Sequence, residues 1–126
     1  MNDLSKKHCV PCEGGTNPFS KKEALEYLKI TRNWELLATQ GNASSSLSLR
    51  AEGLEPMRIQ RKFIFKNFQE ALDFVNKVGK LAESEDHHPD IFIHNYKKVD
   101  ITLSTHAIGG LSINDFILAA KINQIP

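Results

Sequence analysis

The feature that most constrains the fold is a run of apolar residues at helical spacing across positions 68–82. This spacing predicts an amphipathic helix of about four turns, whose apolar face must pack against other elements. Pro89 cannot continue a helix, and it also disfavours helical backbone at His88. We therefore expect the helix to end at about Asp86, directly before two adjacent histidines.

Three helix starts carry the signature of a capping box, in which a polar residue and an acidic residue three positions later cap the first turn together. The three pairs are Ser20 with Glu23, Asn67 with Glu70, and Ser112 with Asp115. They predict a short helix early in the chain, the long helix already described, and a final helix near the C-terminus.

Four segments have the composition and alternation of short strands. They are Trp34 to Leu37, Arg58 to Phe65, Ile91 to His94, and Val99 to Thr105. Residues 40–55, rich in Ser, Gly and Asn, are expected to form a hairpin or an excursion, with a weak strand signal at Leu47 and Leu49. No helix alternates regularly with single strands, so parallel crossovers are not expected. The sequence predicts an α+β fold in the order α-β-β-α-β-β-α, with an antiparallel four-stranded sheet and helices packed on one face.

The length of 126 residues suits a single domain. We expect residues 1–19 to form an irregular N-terminal arm and residues 20–126 to form the folded domain. The only two cysteines, Cys9 and Cys12, form a C-x-x-C motif in that arm. We interpret them as reduced surface thiols, with metal binding or redox use as the alternative.

The charge of the chain is nearly balanced, with 16 basic and 15 acidic residues and a formal net charge of +1. A protein that binds nucleic acid is expected to carry a basic surface, and this composition provides none. No apolar run approaches the roughly 18 residues that span a membrane. The first residues also lack the apolar core of a secretory signal. We therefore expect a cytoplasmic protein without a nucleic-acid or membrane partner.

Histidines are concentrated in one part of the chain, where His87, His88, His94 and His106 lie beside several carboxylates. Histidine is the side chain best suited to proton transfer near neutral pH. Glu83 lies four residues before His87, and the two would share one helix face if the helix reached that far. In the predicted last strand, His106 falls on the polar face with Asp100, Thr102 and Ser104. That face either meets solvent or lines a cleft.

A metal site is the main alternative, because three histidines and a carboxylate are ligands that catalytic zinc uses. However, the adjacent His87 and His88 lack the four-residue spacing that lets two ligands on one helix share an ion. The sequence also contains no H-E-x-x-H motif, no nucleophile motif and no glycine-rich phosphate loop. Gly109-Gly110 is better explained as a break between a strand and a helix. We therefore expect no metal site.

The spacing of these residues resembles the signature of the pterin-4a-carbinolamine dehydratase family. The residues that carry the resemblance are Glu83, His87-His88-Pro89, Tyr96, His106 and Asp115. Trp34, residues 63–68, residues 101–106 and Gly109-Gly110-Leu111 are similar as well, so the resemblance covers about residues 20–124. The segment around Cys9 and Cys12 looks like that of bacterial and plant-type members, whereas residues 40–57 are longer than in compact members.

This resemblance implies a hydro-lyase that dehydrates 4a-hydroxytetrahydrobiopterin to quinonoid dihydropterin, and so recycles the pterin cofactor of aromatic amino-acid hydroxylases. It implies no metal or organic cofactor. By matching position, His87 and His106 are expected to share the acid and base steps. His88 is expected to hold and polarise the pterin, and Glu83 to tune and orient the nearest histidine.

The resemblance also suggests residues that contact the pterin through side chain or backbone. Asp86, Ser104 and Thr105 are the candidates, together with His87, His88 and His106 themselves. Trp34 either closes one wall of the pocket or anchors the core at the end of a strand. We expect Asp115 to cap or orient within the final helix, which is a structural role.

Oligomers are a further expectation from the resemblance, either a homodimer with sheets joined edge to edge or a homotetramer paired through helices. The alternative function is a non-catalytic interaction module on the same fold, as a dimerisation cofactor or an assembly factor. The intact set of Glu83, His87, His88 and His106 favours the enzyme, because a pure scaffold would not need them.

Overall fold

The computed structural model of the chain describes residues 4–9, 18–37 and 57–125. The helices among these residues are α1 (Lys21–Leu28), α2 (Phe68–Glu85) and α3 (Ile113–Asn123). The strands are β1 (Glu35–Leu37), β2 (Arg58–Ile64), β3 (Asp90–His94) and β4 (Lys98–Leu103). Two short 3₁₀ helices cover Leu4–Lys6 and His106–Ile108. Among the helices that the structure describes, no segment combines the length and the hydropathy of a membrane span.

The four described strands form one antiparallel sheet in the order β1-β2-β4-β3, which leaves β1 and β3 at its edges. Alternate strand residues point to the helices and are fully buried with Val78 of α2 in one core; they are Ile59, Val99, Ile101 and Leu103. Phe92, between two inward-facing residues of β3, is exposed on the opposite face. The predicted α+β class, element order and one-sided helix packing are therefore confirmed.

The predicted capping boxes at Ser20 and Ser112 are both complete. At the start of α2, only one of the two hydrogen bonds of the predicted capping box is present, so half of that prediction is wrong. The Asn67 side chain does accept a hydrogen bond from the Glu70 N–H, at 2.9 Å. However, the Glu70 carboxylate accepts from the Lys66 N–H at 3.1 Å instead of that of Asn67, because the bend before the helix brings Lys66 within reach. The predicted end of α2 is confirmed, since Glu85 is its last residue and Asp86 caps it.

The last strand is shorter than predicted, which changes the prediction for His106. β4 ends at Leu103, and the Thr105 N–H then donates to the Gly110 carbonyl at 2.7 Å in an isolated bridge. The chain folds back on itself through Gly109, whose φ of 69° suits glycine. His106 begins a 3₁₀ helix, so the strand alternation that gave it a polar face was wrong.

Part of the predicted N-terminal arm packs on the domain. Leu4 is buried, and its 3₁₀ helix lies against α3. Cys9 is half-buried, and its thiol donates to the Asn114 carbonyl at 3.5 Å. The prediction of a surface thiol is therefore wrong for Cys9, because a neighbouring helix takes up its side chain. Cys12 and residues 40–55 of the predicted hairpin or excursion lie outside the described residues, and the boundary at residue 20 stays a prediction.

Glu85, the last residue of α2, holds the N-terminal residues in place. Its buried carboxylate accepts a hydrogen bond from the Cys9 N–H at 2.8 Å. It also pairs with Lys121 Nζ and with His8 Nδ1, each at 3.2 Å. Burial by itself raises the pKa of Glu85, but these partners outweigh burial and hold the pKa below its ordinary value of 4.5.

We expect Glu85→Gln to lower the free energy of unfolding at neutral pH and to lose this effect in acid. A depressed carboxyl pKa contributes stability that is present above the unfolded pKa and disappears as the pH falls through the folded pKa. Urea unfolding of both proteins at neutral pH and in steps below pH 4.5 measures the difference. Glu26→Gln, which breaks an exposed ion pair with Lys29, is the control and should change little. A difference that stays constant into strong acid would contradict the account.

Candidate active site

His87 is the second residue after the end of α2. Asp86 adopts the left-handed conformation at a φ of 54°, which aspartate tolerates better than most residues. The His87 N–H then donates back to the Ala82 carbonyl at 3.2 Å, in the pattern of a Schellman helix end. This turn fixes the backbone of His87 beside the start of α3.

The ring of His87 contacts the carboxylate of Asp115, with 2.6 Å between Nε2 and Oδ1. The His87 side chain is only 11% exposed and that of Asp115 is 0% exposed. A contact between a ring nitrogen and a carboxylate is stronger in such a water-poor setting than at the surface. Asp115 was expected only to cap or orient in the final helix, so its contact with His87 is an additional finding.

The second oxygen of Asp115 is also occupied. Oδ2 accepts a hydrogen bond from the Thr105 hydroxyl at 2.8 Å and from the Ser112 N–H at 3.0 Å. The Thr105 and Ser112 hydroxyl oxygens are 2.9 Å apart. Because the Thr105 proton goes to Asp115, the Ser112 hydroxyl is the donor in this last pair. Asp115 therefore joins the loop after β4 to the first turn of α3 and to His87.

This network determines which nitrogen of His87 carries the proton. An ionised carboxylate only accepts hydrogen bonds, so Nε2 is the protonated nitrogen of the neutral ring. Nδ1 then keeps its lone pair and is the atom able to take up a further proton. The arrangement is that of an imidazole whose tautomer and orientation are set by a buried carboxylate.

His88 and Glu83 form a second pair, with 2.9 Å between His88 Nε2 and Glu83 Oε1. Their side chains are 57% and 81% exposed, so water screens this contact strongly. The condition under which Glu83 and His87 would share a helix face is not met, because α2 ends at Glu85 and the chain turns away. Glu83 meets His88 instead, which agrees with the expected contact to a nearby histidine.

His106 lies next to this site through its backbone. It directly follows Thr105, whose hydroxyl binds the same carboxylate that holds His87. Consecutive Cα atoms are about 3.8 Å apart, so the start of the His106–Ile108 helix lies close to the His87 partner. The direction of the His106 side chain falls outside what the structure describes, and its place beside the two other imidazoles stays a prediction.

A family model described as pterin 4 alpha carbinolamine dehydratase matches residues 17–125. The chain belongs to this family. The dehydratase family consists, by its name, of hydro-lyases, which remove water from a substrate. The match includes α1 to α3, all four described strands and every predicted site residue.

Similar members of the dehydratase family come from bacteria and plants. A protein of Rubrobacter xylanophilus, provisionally named a pterin-4-alpha-carbinolamine dehydratase, is 38% identical over 125 residues, which cover 99% of this chain and all of that protein. Pterin-4-alpha-carbinolamine dehydratase 2, mitochondrial, of Arabidopsis thaliana is 38% identical over 99% of this chain and 60% of its own length. A solved Brucella melitensis structure, described as transcriptional coactivator/pterin dehydratase, matches with a TM-score of 0.64 at 31% identity over 85% of this chain and 96% of that one.

The remaining residues predicted from the dehydratase signature lie in different places. Asp86 is exposed beside His87, and Ser104 is half-buried between β4 and Thr105. Trp34 is buried, and its indole N–H donates to Asn123 at 2.9 Å. Asn123 ends α3, about two turns beyond Asp115 at its start. Trp34 therefore anchors the opposite end of α3, in keeping with the alternative of a core anchor.

His94 does not join the site, although it belongs to the same group of histidines in the sequence. It lies at the hairpin end of β3, pairs with Asp100 at 3.1 Å and stacks on Phe92.

A cavity of about 330 Å³ is lined by Phe65, Phe74 and polar residues of α2. It lies near the start of α2, whereas His87 follows the end of that helix. Within the described part of the chain, no three His, Cys, Asp or Glu side chains form a group suited to a metal ion.

Replacing Asp115 by asparagine tests the network. Asp115→Asn keeps the shape of the side chain, but an amide nitrogen cannot accept hydrogen bonds, so at least one buried donor loses its partner. We expect a loss of about 1–3 kcal/mol in the free energy of unfolding, measured with urea. Asp73→Asn is the control, because Asp73 is exposed and bonds only Gln69 among the contacts described. Equal stability of the two variants would contradict a network that depends on the carboxylate.

Proposed function

We propose that this protein dehydrates 4a-hydroxytetrahydrobiopterin to quinonoid dihydropterin and water. The observation that carries the proposal is the His87 imidazole held by the buried Asp115 carboxylate, in a chain that belongs to the dehydratase family. The reaction needs proton transfers at two atoms of the substrate. A histidine with a fixed tautomer and one open nitrogen is suited to such transfers.

The chemistry is balanced without a redox step. The bond between C4a and the hydroxyl oxygen breaks, and the oxygen leaves as water after receiving one proton. The proton on N5 is removed, and its electron pair forms the double bond between N5 and C4a. One group must donate a proton and another must accept one, which general acid and base catalysis by two histidines can supply.

We assign these two proton transfers to His87 and His106, without dividing the two tasks between them. Asp115 is a positioning residue in this scheme. Its carboxylate keeps the proton of His87 on Nε2 and stabilises the imidazolium that forms when Nδ1 takes up a second proton. Thr105 and Ser112 support Asp115 through the hydrogen bonds to its second oxygen and to each other.

His88 and Glu83 have a different role in the proposal. Both side chains are largely exposed, so His88 is free to turn from Glu83 towards a bound pterin. We propose that His88 holds and polarises the pterin ring, while Glu83 orients His88. Asp86, which directly precedes His87, and Ser104, which directly precedes Thr105, are proposed pterin contacts. Thr105 acts through Asp115, because its hydroxyl proton is already committed there.

The non-catalytic alternative stays a prediction, as do the homodimer or homotetramer and the cytoplasmic location. The solved Brucella melitensis structure is described as both a transcriptional coactivator and a pterin dehydratase, and that description applies to the Brucella protein.

For a dimer we propose edge-to-edge pairing through β3, which is an edge strand of the described sheet. The proposed recycling role, in support of aromatic amino-acid hydroxylases, follows from the same reaction.

Alanine variants of the histidines test the proposal. We expect His87→Ala and His106→Ala each to lower kcat at least tenfold, because general acid or base catalysis is typically worth about 10²–10⁴-fold. The ultraviolet absorbance of the pterin follows the dehydration. His94→Ala is the matched control and should keep its activity, since His94 pairs with Asp100 at the far end of β3. A wild-type protein with no rate above buffer would end the dehydratase proposal.

Chelation tests the proposed mechanism separately. Because we assign both proton transfers to imidazoles, turnover should be unchanged after incubation with excess EDTA and removal of the chelated metal. The same absorbance assay measures the rate before and after treatment. Loss of activity that returns on adding back zinc would contradict the proposal and restore the metal alternative.

A further inference from the structure

Among the described residues, two polar contacts join the end of α2 to α3. His87 contacts Asp115 in the first turn of α3, and Glu85 pairs with Lys121 near its last turn. Asp115 and Lys121 are about 9 Å apart along the helix axis. Two attachments at this separation prevent the end of α2 from pivoting about either contact alone. The pair of Glu85 and Lys121 therefore restricts how His87 approaches Asp115.

Glu85 occupies a position where a carboxylate is costly. The C-terminal end of a helix carries partial negative charge, so an acidic residue there is disfavoured, and burial adds to the cost. The Lys121 ammonium, the Cys9 N–H and His8 offset this cost. Because Lys121 and Glu85 are both mostly buried, their pairing is screened far less than that of His88 with Glu83.

Residues 4–9, which we call the N-terminal segment, bind one attachment directly and the residue next to the other. The Cys9 N–H donates to Glu85, and the Cys9 thiol donates to the carbonyl of Asn114, the residue before Asp115. Burial, and then the charges of Glu85 and Asp115, raise the pKa of Cys9 to about 12, so the thiol keeps its proton and stays a donor at neutral pH. Leu4 anchors the other end of the segment in the core.

Pro18 and Phe19, which precede α1, contact the loop that follows His106. The Phe19 N–H donates to the Leu111 carbonyl at 2.8 Å. Pro18 packs so closely on Gly110 that a Cβ at position 110 would lie 2.7 Å from the Pro18 Cβ. Gly110 is the residue that bridges to Thr105, directly before His106. N-terminal residues therefore contact both of the chain segments that carry the proposed catalytic histidines.

We propose that Glu85 is a positioning residue of the active site, which fixes the N-terminal segment and Lys121 against the end of α2 and so keeps the His87 ring on Asp115. Its effect on turnover rests on the proposed function, whereas its effect on His87 does not. Without the Glu85 carboxylate, the Cys9 N–H loses its charged acceptor and the end of α2 keeps one of its two polar attachments to α3. His87 then samples orientations away from Asp115.

Two measurements that need no activity test this inference. In ¹⁵N-histidine-labelled protein at mildly alkaline pH, NMR reports which nitrogen of His87 is protonated. The wild type should show the proton on Nε2 alone, and Glu85→Gln should show exchange between both tautomers. In a Cys12→Ser background, where Cys9 is the only remaining cysteine, Glu85→Gln should raise the alkylation rate of Cys9 at least tenfold, because its thiol becomes exposed.

Leu4→Ala is a second route to the same state, since it loosens the N-terminal segment without removing a charge or altering α2. It should raise the alkylation rate and release His87 as well, because water then reaches and screens the uncovered pair of Glu85 and Lys121. This second variant keeps the test valid if Glu85→Gln folds poorly. Glu26→Gln, on the exposed surface of α1, should leave both readouts unchanged. A His87 that keeps one tautomer in both test variants would overturn the inference, and so would an unchanged Cys9 alkylation rate.

Turnover adds a readout that a purely structural role would not move. Small misplacements of a catalytic group cost up to about a hundredfold in rate, so Glu85→Gln should lower kcat by about ten- to a hundredfold with little change in KM. An unchanged kcat in a variant whose His87 has been released would overturn the positioning role. An inactive wild type would instead refute the proposed function, while the NMR and alkylation results would still decide the claim about His87.

Discussion

The structure of this protein depends on one buried carboxylate, that of Asp115. It is 0% exposed, and its two oxygens meet His87, the Thr105 hydroxyl and the Ser112 N–H. A buried charge without partners is strongly destabilising, so the carboxylate and its partners hold one another in place. The end of α2, the loop after β4 and the start of α3 therefore meet at a single point, and the proposed acid and base chemistry is located there.

Much of the fold follows from local sequence signals. The apolar period of α2, the turn chemistry before Pro89 and the boxes at Ser20 and Ser112 each depend on residues that are close in the chain, and all were confirmed. The end of β4 was not predictable in this way. Thr105 leaves the strand because it pairs with Gly110 and Asp115, and neither partner can be recognised from strand alternation.

The candidate site was predictable as a group of residues but not as a set of contacts. The signature identified Glu83, His87, His88 and Asp115, but not which histidine Glu83 contacts, because the left-handed Asp86 turns the chain before His87 and brings His88 to Glu83. The contact of His87 with Asp115 joins residues 28 positions apart, and only the three-dimensional packing brings them together. The sequence carried one indication of this contact. The carboxylate of a capping box bonds its own helix with one oxygen, so the other oxygen is open to a hydrogen bond from a different part of the chain. The contact between Glu85 and Cys9 had no such signal.

The most direct test of the central claim is a double-mutant cycle on kcat, using His87→Ala, Asp115→Asn and the double variant. If Asp115 acts through His87, its substitution has nothing left to affect once the imidazole is gone. The account therefore predicts that the double variant is no slower than His87→Ala alone. A double variant whose loss in kcat equals the product of the two single losses would contradict it, because the two residues would then act independently.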